Sequence, residues 1–246
     1  MLTILFLMAA AFASGVLNAI AGGGAFITFS ALLFAGVAPV SANASSTVAL
    51  FPGQAASAWS YRQNILGIAE VSVTSFVVLS LVGGLLGALL LLVTPNALFA
   101  DLVPWLLLFA TAVFAFGALA PNAAQRLRLS GRGVLFAQFL ISVYGGYFGG
   151  GIGFLMLAAL TMFGMTDIHA MNGLRILLAT LMNAAAVAAF ALAGAVSWPE
   201  TLAMAAAAVA GGYGGAAGAK RVNPKLLKML VIAIGAALSI YFFWKG

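Results

Sequence analysis

The chain has no cysteine, one histidine and four acidic residues among its 246. Without cysteine there is no disulfide, no thiolate metal site and no cysteine nucleophile. Four scattered carboxylates and one imidazole supply neither a metal centre nor a general acid–base pair. The sequence contains no HExxH, GxSxG or GxxxxGK[ST] pattern, so zinc protease, serine hydrolase and P-loop ATPase chemistry lack their residues. An enzyme is not expected, and no cofactor is called for. Charge is the deepest deficit. Only 6% of residues are charged and 65% are hydrophobic, against about 25% and about 45–50% in soluble domains. Such a chain cannot cover a water-facing surface with polar side chains; a lipid-facing surface removes the need.

A helix crosses the hydrocarbon core with about 20 apolar residues, which leaves room here for about eight to ten crossings. The longest polar interval runs only from Pro121 to Gly133, so one membrane domain and no soluble domain is expected. The apolar start from Leu2, with no basic stretch before it, reads as a first membrane segment and not as a cleaved leader. Ten Lys and Arg against four acids give a net charge of +6. These basic residues sit between apolar runs, where they orient a membrane protein with its basic loops in the cytoplasm. Nucleic acid is not an expected partner; membrane lipids are.

Ten apolar pieces can be traced. The uncharged run from Leu2 to Gly36 would be roughly 52 Å long as one helix, too long for a core of about 30 Å. Gly22, Gly23 and Gly24 divide it into about Leu2–Ala21 and Ala25–Phe34. Helices follow at about Ser41–Tyr61, Ile68–Val93 and Leu98–Ala118, with Pro52-Gly53-Gln54 interrupting the first of these. After the Arg126, Arg128 and Arg132 loop comes Val134–Phe148, then Gly149, Gly150 and Gly151, then Ile152–Phe163. Helices at about Ile168–Ala195, Trp198–Ala217 and Leu226–Phe243 complete the chain.

The halves resemble each other. Residues 15–36 match residues 142–164 in having a Gly triplet within an apolar run that ends on Gly, and Ala42–Ser46 stands where Ala170–Leu174 stands. The offset is 127 at the triplets and 128 at these turns. If each Gly-broken pair enters and leaves on one side, Arg62, the Arg126–Arg132 loop and a second basic loop with Lys220, Arg221, Lys225 and Lys228 share the cytoplasmic side. Asp101, Glu200 and Lys245 then share the other. Each half has three full crossings plus a hairpin, so the halves are inverted, as in many secondary transporters. The expected architecture is thus an all-α integral membrane protein in two inverted repeats, about 1–120 and 133–246. Full crossing by the broken pairs remains the alternative.

Breaking a helix in lipid frees backbone N–H and C=O groups, and is tolerated where they face protein or a water-filled cavity. The half-helices starting near Ala25 and Ile152 would present N–H groups and a positive dipole end, an anion site without a charged side chain. Close helix packing is the other reading of a Gly triplet; recurrence at matching positions favours the site. Embedded polar groups usually face the bundle interior. Asn18 lies just before the first triplet, and Asn43, Ser45 and Ser46 crowd the start of the third helix. Asn172, Arg175, Thr180 and Asn183 lie along one helix of the second half. Ser41 and Asn43 also read as helix caps, and Asn183 as an interhelical hydrogen bonder. Arg175 either clamps an anion, snorkels to the interface or pairs with Asp167. His169 reads as part of an interfacial turn, with proton coupling as the alternative, because an imidazole can change charge near neutral pH. Glu70, Asp101 and Glu200 read as acids in first helical turns, and Trp59, Trp105, Trp198 and Trp244 as interfacial anchors near helix ends.

Asn18-Ala-Ile-Ala-Gly22-Gly23-Gly24, then Gly36-Val-Ala-Pro39 and Ala42-Asn43-Ala44-Ser45-Ser46, resemble the TauE/SafE sulfite exporter family of membrane permeases. Gly145-Gly-Tyr-Phe-Gly149-Gly150-Gly151 through Ala170-Met-Asn-Gly173 resembles the family's second repeat, so the resemblance covers nearly the whole chain. It implies transport of sulfur-containing or carboxylate-bearing anions such as sulfite, sulfonates or sulfoacetate. Thiosulfate importers of related architecture are associated with cysteines, which this chain lacks. Where many relatives carry Gly-Thr-Ser this chain has Gly173-Leu174, with Asn172 and Arg175 as the neighbouring polar groups. The expectation is a secondary anion permease of the inner membrane. Its donors would come from both Gly breaks, Asn18, Asn43, Ser45, Ser46, Asn172 and Arg175. A proton or a sodium ion is the candidate coupling ion. A passive anion channel and a non-transporting membrane subunit are the rivals.

Overall fold

Lipid offers no partners to a backbone, so an apolar chain must satisfy its amides within helices. The computed structural model describes residues 1–20, 24–61, 71–119, 130–162, 164–218 and 224–245. Among them are ten helices and no strand. They are α1 (Leu2–Ile20), α2 (Ala25–Phe34), α3 (Pro39–Tyr61), α4 (Val73–Val93) and α5 (Asn96–Leu119), then α6 (Gly131–Tyr147), α7 (Ile152–Met162), α8 (Ile168–Leu192), α9 (Trp198–Gly218) and α10 (Pro224–Lys245). Gly22 and Gly23 lie outside the described residues, as do Arg62, Glu70, Arg126, Arg128, Lys220 and Arg221.

Several expectations need correction. Helix α3 runs unbroken through Pro52: one missing amide hydrogen bond does not stop a helix that has no better place in lipid to satisfy its remaining groups. It starts at Pro39, because Pro suits a first helical position. Ser41 and Asn43 are therefore inside it and do not cap its amino end. Helix α4 starts only after Ser72, whose hydroxyl accepts from Ser75 N at 3.2 Å. Helix α8 stops at Leu192, because Gly194 turns left-handed (φ 67°) and Ala195 N bonds back to Phe190 O. Asp101 lies in the second turn of α5, not its first, and Trp105 is further in still. Glu200 does occupy a first turn, and its carboxylate accepts from Ser197 Oγ at 2.7 Å.

Helices α2 and α7 end alike. Gly36 and Gly164, 128 positions apart, have φ of 86° and 84°. In each case the following amide reaches five residues back, Val37 N to Leu32 O and Met165 N to Leu160 O. This is the glycine cap that satisfies the last carbonyls of a helix.

Packing follows the same alternation. The most extensive contacts join α1 to α9 and α4 to α6, so the first helix of each half packs on the fourth of the other. Next come α4 with α8 and α9 with α3. Glycines permit the close approach. A Cβ on Gly211 would strike the carbonyl oxygen of Phe12, and one on Gly83 would lie 2.6 Å from Ser142 Cβ and 3.1 Å from Phe139 O. Gly83 and Gly211 are again 128 positions apart.

The outside of the bundle is apolar. On α4, Leu81, Leu85, Leu86, Leu89 and Leu90 are exposed, while Gly83, Gly84, Gly87 and Leu91 are buried. That is inside-out for a protein in water and right for one in lipid. Val73–Val93, Asn96–Val113 and Ala170–Leu192 are long and apolar enough to cross a membrane, and Leu2–Asn18, Ala25–Phe34 and Ile232–Trp244 are shorter apolar helices.

Candidate functional site

The second glycine break can be built residue by residue. Helix α6 ends at Tyr147, and Phe148 N and Gly149 N both bond to Tyr144 O, at 2.9 and 3.3 Å. Gly149 and Gly151 each have φ of 74°. Side-chain-bearing residues avoid that region, so glycine is what lets the chain turn here and restart as α7. Tyr144 Oη donates to Gly150 O at 3.0 Å, which satisfies one carbonyl freed by the break. The first amides of α7 have no acceptor within their own helix.

Four helices close around this turn. A Cβ on Gly150 would meet Phe26 and Phe148 ring carbons at 2.6 and 2.7 Å. One on Gly151 would meet Ala110 of α5 at 2.9 Å, and one on Gly149 would approach Thr47 of α3 at 3.9 Å. One on Gly153, in the first turn of α7, would lie 2.5 Å from Nη1 of Arg175 on α8. The Arg175 side chain is thus laid along the amino end of the half-helix that follows the break.

The first break meets the second through Phe26, two residues past Gly24. Its ring centroid lies 6.5 Å from that of Phe148. Phe29, Phe99 and Tyr147 complete an aromatic cluster, with Phe29–Phe148 at 5.7 Å and Phe99–Tyr147 at 5.6 Å. Gly24 is packed on α1, where Ser14 Oγ donates to its carbonyl at 2.6 Å. Its backbone is right-handed (φ −63°). The described part of the first break is therefore closed by packing, and an aromatic ring fills the space beside the second.

The remaining candidates are spread over partners. Asn43 Nδ2 donates to Tyr147 O at 3.0 Å, giving a carbonyl at the end of α6 a donor from the other half of the chain. Ser45 Oγ accepts from Ser197 N at 2.9 Å and so anchors the start of α9. Ser46 Oγ and Thr28 Oγ1 share a hydrogen bond of 2.6 Å between α3 and α2. Asn172 is half-buried on α8, and Asn18 is half-buried in the last turn of α1. Asn43 and Thr47 adjoin the second break, as does Arg175; Ser45 and Ser46 are committed elsewhere. Asn183 is an interhelical hydrogen bonder, donating to Gln54 Oε1 at 2.7 Å.

Phe26, Tyr144 and Tyr147 adjoin the second break and were not singled out from the sequence. Phe26 had one usable signal, its place just after the first triplet. The others meet partners that no local spacing reveals. Asn43→Ala is expected to lower stability by about 1–3 kcal/mol, because it leaves a part-buried helix-end carbonyl without its donor. A thermal melt of the purified variant checks this.

The family model for the sulfite exporter TauE/SafE matches residues 7–242. The chain belongs to the TauE/SafE family. It is 30% identical over 241 residues to a probable membrane transporter protein, ORF9, of a Sinorhizobium species, covering 96% of this chain and 90% of that one. It is 29% identical over 225 residues to a probable membrane transporter protein of Haemophilus influenzae, covering 90% and 87%. No solved structure matches it significantly. By its family and relatives this TauE/SafE protein is a multi-pass membrane transporter rather than an enzyme, and its apolar helices suit that role.

Proposed function

We propose that this transporter carries a small sulfur-containing oxyanion, such as sulfite or an organosulfonate like sulfoacetate, across the inner membrane as a secondary permease. One observation carries the reading: Arg175 lies along the first turn of α7, directly after the two left-handed glycines. A guanidinium beside helix-end amides combines a bidentate donor with the positive end of a dipole. That pairing suits an oxyanion with several acceptor oxygens. Thr47, and Asn43 through Tyr147, fix the other wall.

Alternating access is supported by the packing. The glycine caps at Gly36 and Gly164, and the contacts at Gly83 and Gly211, recur at one offset. Recurrence at one offset supports two structural repeats, and this reading takes them as inverted, one rocking against the other about a central site. The aromatic cluster at Phe26 and Phe148 then closes the site in this state and must part for the anion to pass.

The test is flux in proteoliposomes. Sulfite or sulfoacetate is expected to move saturably and, with a driving gradient, to accumulate, while chloride does not. Flux that only equilibrates the anion would assign a channel. No flux of any sulfur oxyanion or organosulfonate would reject the substrate class.

A further inference from the structure

We propose that the crossing of α3 and α8 is a binding site for a monovalent metal cation, sodium by size, made of the uncharged oxygens of Gln54, Thr180 and Asn183. The inference rests on the reading of the chain as a secondary transporter and not on which anion it carries. Asn183 is only 9% exposed, and its Oδ1 is buried with no hydrogen-bond partner. A lone amide oxygen inside a membrane protein is costly to desolvate. Its Nδ2 is already used, donating to Gln54 Oε1 at 2.7 Å.

One turn earlier on α8, Thr180 Oγ1 gives its proton to Ile176 O at 2.7 Å. Its lone pairs are left toward α3, where Gln54 O stands 3.5 Å away. With the proton committed elsewhere, that contact is one oxygen facing another. Two oxygens about 3.5 Å apart form the edge of an octahedron whose metal–oxygen distance is about 2.4–2.5 Å, within the range of hard cations on oxygen ligands. Asn183 Oδ1 and Gln54 Oε1, which keeps a second lone pair, bring the set to four acceptors. Water or the oxygens of a bound oxyanion complete the shell. No ligand is charged, which suits a monovalent ion over a divalent one.

The rest of the chain makes such a site useful. Its four acids are Glu70, Asp101, Asp167 and Glu200, and its histidine is His169. Among the described residues, Asp167, His169 and Glu200 lie at the amino ends of helices and Asp101 is in a second turn. None of these stands in the middle of an apolar span to relay a proton. An anion entering against an inside-negative potential needs a compensating positive charge, and neutral oxygens can carry one as sodium.

The experiment is thermal melting of the purified full chain in sodium, potassium or choline chloride at equal ionic strength, with no sulfur anion present. Sodium near ten times its dissociation constant is expected to raise the midpoint by about 3 °C or more over choline. The shift should vanish in Asn183→Leu and shrink in Thr180→Val, with both variants melting cooperatively in choline. If Asn183→Leu does not fold, Thr180→Val decides: an undiminished sodium shift overturns the site. Equal midpoints in all three salts for the unaltered chain also overturn it. So does a shift produced by sulfite in choline and lost in Asn183→Leu, since exchanging oxygen and nitrogen in both amides would offer a donor to an anion. A chain that binds sodium yet moves no sulfur anion would sink the substrate reading and leave this site standing.

Discussion

Gly211→Val should leave little folded protein in the membrane. A Cβ at Gly211 falls on the carbonyl oxygen of Phe12, which is backbone in the middle of α1 and cannot swing aside as a side chain can. Helices α1 and α9 share the most extensive contact in the fold, so their separation propagates. In lipid there is no hydrophobic force to draw helices back together; close packing supplies the attraction, and small residues make it available. Overpacking a tight contact commonly costs about 1–3 kcal/mol, and a backbone collision belongs at or above the top of that range. Gly84→Val should cost a similar amount, since its Cβ would lie 2.6 Å from Met182 O and 2.7 Å from Met182 Cα. Gly53→Ala is the contrast. Nothing lies within 4 Å of a Cβ there, so better helix propensity should stabilise α3 by up to about 1 kcal/mol. Melting midpoints of the three variants in one detergent measure the difference. Equal midpoints would remove glycine-mediated approach as the reason this bundle holds.

What could be read in advance was what is local. Apolar length located every helix, and glycine marked where α2 and α7 stop, because both signals act within a few residues; Gly194 went unread as the stop of α8. The second triplet was legible as a break because only glycine takes its left-handed backbone. Long-range partners were not legible. Asn43 finds Tyr147 at a separation of 104 residues, and Asn183 finds Gln54 at 129. The type of bond that Asn183 makes could be foreseen; its partner could not. Pro52 misled for a physical reason. Its power to end a helix is a preference measured against water, and in lipid the alternatives to continuing are worse. Phe26 was overlooked because an aromatic residue in an apolar run looks like any other core residue until its ring is found against the opposite break.

Arg175→Ala should weaken anion transport by about 10- to 100-fold in apparent affinity. The estimate follows from charged hydrogen bonds worth about 1.5–3 kcal/mol, with each 1.4 kcal/mol a factor of ten. The loss should appear mainly in KM, since the residue is placed to hold the anion and not to drive the repeat motion. Arg175→Lys keeps the charge but gives up the planar fork, and should recover part of the affinity. Gly153→Ala probes the same contact from the other side. Its Cβ would press on Nη1 of Arg175 at 2.5 Å and displace the end of a long, flexible side chain. The fold should survive this, because side-chain ends yield where backbone does not, yet the guanidinium would leave the amino end of α7. Gly153→Ala is therefore expected to raise KM with the arginine still present and the melting midpoint nearly unchanged. An interfacial arginine serving only to anchor α8 would give the opposite pattern, a normal KM in both Arg175→Lys and Gly153→Ala. Concentration-dependent sulfite uptake by the four proteins in proteoliposomes separates these outcomes.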